Sequence, residues 1–194
     1  MAAGPSELLP IFLKLAGRKV VLVGAGRVAG AKLPALLAAG ARVSVIAPEI
    51  SAAVERAPVA LDRRHFVPSD LDGAWLVIAA ATPEVNREVA AAAEERRIFV
   101  NAVDDPQSAS AYAGGVVRRG GVTVAISTSG QAPALAGLLR EALERLLPQE
   151  LDRWIEMARE LRTDWRRRGI PIAARRALLL DALNRAYARD RVAP

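Results

Sequence analysis

The stretch Gly24-Ala25-Gly26-Arg27-Val28-Ala29 constrains this chain more than any other, because it joins two opposed kinds of sequence. Before it, Lys19 to Gly24 is rich in β-branched residues and reads as a buried parallel strand ending in glycine. After it, Val28 to Ala39 is rich in alanine and leucine and is closed by Gly40, which reads as a helix with a glycine stop. A G-x-G-x-x-A pattern between strand and helix is the fingerprint of a turn that seats a dinucleotide pyrophosphate. Gly24 permits the tight turn, Gly26 lets the backbone approach the phosphates, and the small Ala29 lets helix and strand pack closely. Helix-terminal N–H groups then face the anion. The competing reading is a glycine turn in a sheet that holds no ligand.

The rest of the chain repeats this alternation. Ala41–Ala47 and Ala74–Ala80 read as strands, Val59–Phe66 as a poorer one and Ile98–Val103 as another, with a helix over Asn86–Arg97. Strands and helices in alternation with short links predict a Rossmann-type parallel sheet covered on both faces. After Asp104 the pattern changes. A loop runs through Gly114-Gly115, Val122–Ser127 alternates like a strand, and Ala134–Leu147 has helical periodicity. Leu151–Arg168 and Ile172–Arg189 read as two helices broken at Gly169-Ile170-Pro171. The expected organisation is therefore α/β over residues 1–113, a small α+β domain over 114–149 and a basic helical domain over 150–194.

Composition narrows the chemistry. Cysteine is absent, which removes disulfides, thiolate metal sites, iron–sulfur clusters and cysteine nucleophiles. His65 is the one histidine, and on a weak strand among charges it is expected to face water. Asp and Glu are left nearly alone as proton-transfer groups at neutral pH, and no metal site is expected. The start of the chain has no basic patch before an apolar run, and no stretch of about 18 apolar residues is free of charge, so a cytoplasmic chain without a membrane span is expected. The net charge of +6 is concentrated in Leu151–Pro194, where eleven arginines face six acids. Such a segment attracts nucleic acid, a membrane surface or a polyanionic small molecule, or is simply a solvated helix face. Its arginines are not interleaved with aromatics as on base-stacking surfaces, so nucleic acid ranks last.

Three further stretches carry chemistry. Pro48-Glu49 follows the second strand, where NAD sites place an acid for the adenosine ribose; Glu49 comes slightly late for that role, and a helix-dipole role competes with it. No arginine stands there to favour a 2′-phosphate, since Arg42 lies at the start of the strand, which favours NAD over NADP. Asn101-Ala102-Val103-Asp104-Asp105-Pro106 sets acids at the carboxyl end of a predicted strand, the edge at which open sheets bind ligands. A partly buried carboxylate there would serve as a base, and ordinary Asp-Asp-Pro turn chemistry is the equal alternative. Ser127-Thr128-Ser129-Gly130-Gln131 supplies hydroxyls that could bind substrate carboxylates or simply cap the helix that follows.

Taken together, Leu9–Leu13, Gly17–Ala29 with Lys32, Val45–Glu49, Leu76–Ala80, Asn86-Arg87, Val100–Pro106, Val124–Thr128 and Pro133–Ala136 resemble the precorrin-2 dehydrogenase and sirohydrochlorin ferrochelatase family, including the amino-terminal part of siroheme synthases. The Leu9-Pro10-Ile11-Phe12 opening and the Asn101-to-Asp104 step are the more specific signals. The resemblance implies an oxidoreductase of siroheme biosynthesis that takes precorrin-2 and NAD⁺ to sirohydrochlorin and NADH. It also implies a homodimer joined through the domain after the NAD-binding one, and it leaves Fe²⁺ insertion open. Mapped by resemblance, Asp104 is the catalytic aspartate, and Arg27, Val28, Pro48 and Glu49 join Gly24, Gly26 and Ala29 as cofactor contacts, with Ser127 and Thr128 toward substrate. The polycarboxylated substrate offers the basic tail a partner. Departures lie at Ala111–Gly115 and at Ser127–Pro133, where the family's lysine and second serine are missing, and the methyltransferase domain of siroheme synthases is not expected. The alternative is a non-catalytic Rossmann dimer that senses NAD or carries a tetrapyrrole.

Overall fold

The computed structural model describes residues 7–190. Five strands, β1 (Lys19–Val23), β2 (Arg42–Ile46), β3 (Ala60–Asp62), β4 (Leu76–Ala79) and β5 (Phe99–Ala102), form a parallel sheet in the order β3-β2-β1-β4-β5. Helix α1 (Arg27–Ala38) links β1 to β2, the single-turn α2 (Ala52–Glu55) follows β2, and α3 (Pro83–Glu95) links β4 to β5. The chain moves outward from β1 through β2 and β3, then crosses back to place β4 on the other side of β1. The crevice outside the carboxyl ends of β1 and β4 is thus a topological switch point, where ligands bind in open α/β sheets.

Both faces of this sheet are covered, which explains why its strands read as continuous apolar runs. Val20, Leu22, Val43 and Val45 pack with Ala29, Leu33 and Leu36 of α1, while Val21, Val23, Val77 and Val100 pack with Val89, Ala92 and Ala93 of α3. Fully burying a valine or leucine is worth roughly 1.5–3 kcal/mol, so these positions hold the strand ends in register.

The first unit departs from the sequence reading at three places. Helix α3 begins at Pro83 rather than Asn86: Thr82 holds an extended cap conformation and proline occupies the first turn, where its missing N–H removes no helical bond. Strand β3 stops at Asp62 because the next two residues leave for ionic partners, Arg63 to Glu55 and Arg64 to Asp70 at 2.6 and 2.8 Å. Helix α2 begins at Ala52, later than the helix start at Glu49 that the helix-dipole alternative requires.

By its contacts the molecule divides into two compact units, one holding the chain up to Gly114 together with Ser127–Pro133, the other Gly115–Ile126 and the chain from Ala134 on. The second unit holds an antiparallel hairpin of β6 (Gly115–Arg119) and β7 (Val122–Ile126), then α4 (Pro133–Leu146), α5 (Leu151–Arg167) and α6 (Ile172–Asp190). Strand β6 is absent from the sequence reading. The hairpin turns on Gly120 and Gly121, both at positive φ (53° and 79°), as the right-handed twist of two-residue hairpins requires. Among the described residues no helix is long and apolar enough to cross a membrane.

Candidate functional site

The turn between β1 and α1 is built around a glycine that nothing else can replace. Gly24 sits at φ +100°, and a Cβ there would lie 2.3 Å from the Ala80 carbonyl oxygen at the end of β4. Its N–H donates to the Ile46 carbonyl at 2.9 Å, so the turn is wedged between the ends of β2 and β4. Gly26 has the opposite surroundings: no atom lies within 4 Å of where its Cβ would stand. It is the cap residue of α1, without a side-chain cap and without an acid in the first turn, which leaves the amino-terminal N–H groups open to an anion. Arg27 and Val28 are exposed beside it, while Ala29 is fully buried and lets α1 lie close to the sheet. This is a cradle with room for a pyrophosphate, and its groups are those that such a ligand needs.

At the end of β2, Pro48 and Glu49 are both exposed. Glu49 precedes the cap residue Ser51 and lies outside α2, whose first-turn acid is Glu55, so the helix-dipole role does not apply to Glu49. Ser51 was not singled out in the sequence. Its N–H donates to the Ala25 carbonyl at 3.2 Å, tying this loop to the glycine turn, and its Oγ is buried without a hydrogen-bond partner among the described residues. Arg42 lies at the amino end of β2, on the opposite edge of the sheet.

After β5 the two neighbouring aspartates part company. Asp105 accepts from Ser108 Oγ at 2.6 Å and from the Ser108 N–H at 3.2 Å, and these bonds, the hydroxyl first, hold its carboxyl below the ordinary carboxylate range. It is the turn residue. Asp104 has no hydrogen bond or ion pair among the described residues and is exposed, contrary to the partial burial expected. It is held at φ +58°, a left-handed conformation rare for a residue with a side chain and one that aspartate tolerates better than most. The segment behind it is tied down. Buried Asn101 donates through Nδ2 to the Ala111 carbonyl at 2.9 Å, Ser110 Oγ accepts from the Val100 N–H at 2.9 Å, and the Tyr112 hydroxyl donates to the Pro106 carbonyl at 2.9 Å. Asn101 Oδ1 is buried without a hydrogen-bond partner among the described residues.

The Ser127–Pro133 loop lies against this same turn. Gly130 has φ +75°, and a Cβ on it would come within 2.9 Å of Pro106 and 3.4 Å of Tyr112. Ser127 Oγ accepts from the Ser129 N–H at 3.1 Å and Thr128 Oγ1 from the Ala132 N–H at 3.2 Å. Both hydroxyls therefore shape the loop as acceptors, and each keeps its own proton to donate.

A cavity of about 210 Å³ opens at the carboxyl edge beside Gly24 and Pro48. His65 lines it although it is exposed, which the sequence reading had simply assigned to solvent. Asn86 Oδ1 accepts from the Ala81 N–H at 2.9 Å and fixes the turn that forms one wall. In the second unit, Arg159, Arg162 and Arg166 recur at helical spacing along one exposed face of α5 and make no ion pair among the described residues. No group of three or more His, Asp or Glu able to hold a metal occurs among the described residues.

Comparison with known proteins agrees with this layout. A family model of NAD(P)-binding domains matches residues 11–115, and a model of the central part of sirohaem biosynthesis proteins matches residues 119–146. The chain is 42% identical over 195 residues to siroheme synthase 3 of Aeromonas hydrophila, an alignment that takes in 94% of this chain and 41% of that one. It is 40% identical over 187 residues to siroheme synthase of Photorhabdus laumondii, covering 94% of this chain and 40% of that one. The chain thus spans about two fifths of the length of these curated relatives. A solved structure, SirC, precorrin-2 dehydrogenase, superposes with a TM-score of 0.67 at 22% identity, over 90% of this chain and 88% of that one, and so shares the fold.

Proposed function

This chain belongs to the NAD(P)-binding family whose model spans residues 11–115, and from that membership we propose that it oxidises precorrin-2 to sirohydrochlorin with NAD⁺ in siroheme biosynthesis. The observation that carries the reading is the convergence on one sheet edge of the glycine cradle after β1, Glu49 after β2 and Asp104 after β5. Strands β2 and β5 are three strand spacings apart, about 14 Å, so an extended dinucleotide with its ribose at Glu49 reaches toward Asp104. Support also comes from the relatives named siroheme synthase and from the precorrin-2 dehydrogenase fold.

The residues divide the work as follows. Gly24 and Gly26 admit the pyrophosphate, the N–H groups opening α1 hold it, and Glu49 accepts from the ribose hydroxyls. Ser51 Oγ, buried and without a partner among the described residues, is a further donor on this side. NAD is preferred over NADP because no arginine follows β2 beside Glu49 to meet a 2′-phosphate, Arg42 lying at the other end of the strand. Bound NAD⁺ supplies the acceptor for the hydride that leaves the reduced macrocycle. Asp104 takes the accompanying proton, and its exposure lets it release that proton to water. The Ser127 and Thr128 protons meet substrate carboxylates.

A homodimer is part of this proposal, joined through residues 114–149 and followed by a helical domain over 150–194. It is supported by apolar side chains that the second unit leaves uncovered, Leu138 at 65% and Leu146 at 75% exposure. The reaction belongs in the cytoplasm, where it draws on the NAD⁺ pool. No observation favours Fe²⁺ insertion over oxidation alone. The test is anaerobic incubation of freshly generated precorrin-2 with NAD⁺ and the purified chain. NADH and sirohydrochlorin in equal amounts are expected; no turnover by protein that binds NAD⁺ refutes the dehydrogenase and leaves a binding module.

A further inference from the structure

On the face of the sheet that α3 covers, the amino-terminal half of β2 and β3 lies bare. Helices follow β1 and β4, but the link from β3 to β4, residues 63–75, holds only a single 3₁₀ turn, Pro68–Leu71. Phe66 and Leu71 of that link join the buried cluster of Val21, Val23 and Ile46. Lys19, Arg42 and Ser44 alternate with those residues along the same two strands, so they share their face, nearer the amino edge. A groove of about 680 Å³ remains there, lined by these three side chains and by residues 57–60, which lead into β3. That volume falls within the roughly 300–1,000 Å³ of small-molecule sites.

The polar side chains of the groove can all donate. Arg42 is exposed and Ser44 half-buried, and neither side chain has a hydrogen bond or ion pair among the described residues. Lys19 Nζ donates to the Asp70 and Asp72 carbonyls, both at 2.9 Å, which leaves one of its three protons. Lys19 and Arg42 are register partners on adjacent strands, about 4.8 Å apart, and like charges so placed repel. No acid lines the groove, and the carboxylates of Asp62 and Asp70 on the elements around it are held by Arg64 at 3.8 and 2.6 Å. A carboxylate ligand would leave one of the two positive charges unbalanced, whereas a dianion balances both. We infer that this groove binds a small organic phosphate, its head between Arg42, Lys19 and Ser44 and its apolar body along Ala57, Pro58 and Ala60. Arg42 and Ile46 stand at opposite ends of β2, about 13 Å apart, so the site is separate from the glycine cradle and leaves it free.

Amide-resolved NMR titration of the full chain with phenyl phosphate and with inorganic phosphate, at an ionic strength held constant with chloride, tests this directly. Phenyl phosphate is expected to shift the amides of Lys19, Arg42 and Ser44 saturably. It is expected to bind several-fold more tightly than inorganic phosphate, because it alone reaches the apolar wall. Saturating NAD⁺ is expected to leave those shifts in place. Arg42→Gln is expected to weaken phenyl phosphate about ten-fold or more, in keeping with the loss of a hydrogen bond between charged groups. The same substitution removes the repulsion with Lys19, so in phosphate-free buffer the variant's Tm is expected to match or exceed that of the wild type, and the rise in Tm on adding phenyl phosphate to be lost. Shifts confined to residues 24–28 and reversed by NAD⁺ would put the phosphate in the glycine cradle and overturn the assignment. Equal affinity of wild type and Arg42→Gln, or of the two phosphates for the wild type, overturns it as well. Phenyl phosphate bound at Arg42 by a chain that fails to bind NAD⁺ would sink the cofactor reading alone.

Discussion

Strands β1 and β4 bury every residue from Val20 to Val23 and from Leu76 to Ala79, whereas the β6–β7 hairpin buries Val117 alone. The two regions are built from similar β-branched runs, yet they differ in who covers them. In the parallel sheet, α1 and α3 close both faces within the same unit. In the second unit the buried apolar residues, among those described, are Val117, Ala136, Leu151 and Trp165, while Leu135, Leu138 and Leu146 on α4 are half exposed or more. One unit carries a completed core and the polar edge on which chemistry is built. The other presents apolar faces and unpaired strand edges that a second copy of the chain would cover, as the proposed dimer requires.

Substitutions at Gly24 and Gly26 separate packing from ligand binding inside the completed unit. Gly24→Ala places a methyl against backbone in a left-handed turn and is expected to lower stability by roughly 3 kcal/mol or more and to abolish NAD⁺ binding, read by thermal unfolding and titration. Gly26→Ala, with open space around its Cβ and φ −77°, is expected to leave stability within about 1 kcal/mol and still weaken NAD⁺ binding about ten-fold. In the second unit, Leu138→Asp with Leu146→Asp is expected to halve the mass in sedimentation without altering NAD⁺ affinity. An unchanged mass would break the contrast between the units.

Smaller effects sharpen it. Tyr112→Phe removes the hydroxyl bond to the Pro106 carbonyl and is expected to lower stability by about 1 kcal/mol and turnover a few-fold, with KM for NAD⁺ unchanged. Arg64 holds the Asp70 carboxyl below the usual carboxylate range, first through its hydrogen bonds, aided by the Val67 N–H and opposed by burial. Because the folded value lies below the unfolded one, this stabilisation is present above about pH 4 and is lost as the pH falls through the folded value. The Tm gap between wild type and Asp70→Asn is therefore expected to be full at neutral pH and to close in acid.

The parallel sheet was legible because each of its strands except β3 is an apolar run closed by a turn signal, and the order of elements then leaves few topologies. The glycine cradle was legible for the same reason. Strand β6 was not, since Arg118 and Arg119 interrupt its pattern and its identity as a strand comes from pairing, Val117 opposite Val124. The true start of α3 was written in Thr82-Pro83, a cap followed by a first-turn proline. Asp104 and Asp105 look alike in sequence. What divides them is Ser108, three residues on, which engages one and leaves the other free. The cavity beside Pro48 could not be read at all, because His65 and Glu88, far apart in sequence, come to line it only through the crossing from β3 to β4.

That division between two adjacent carboxylates gives the most direct test of the account. Single-turnover oxidation of precorrin-2 by NAD⁺ should be followed anaerobically for wild type, Asp104→Asn and Asp105→Asn, with NAD⁺ affinity measured on the same samples. Asp104→Asn is expected to bind NAD⁺ as the wild type does but to lose turnover at least about 100-fold, the smaller end of general-base contributions, while Asp105→Asn stays within a few-fold of wild type. Turnover by Asp104→Asn at the wild-type rate, with NAD⁺ still bound, would contradict it.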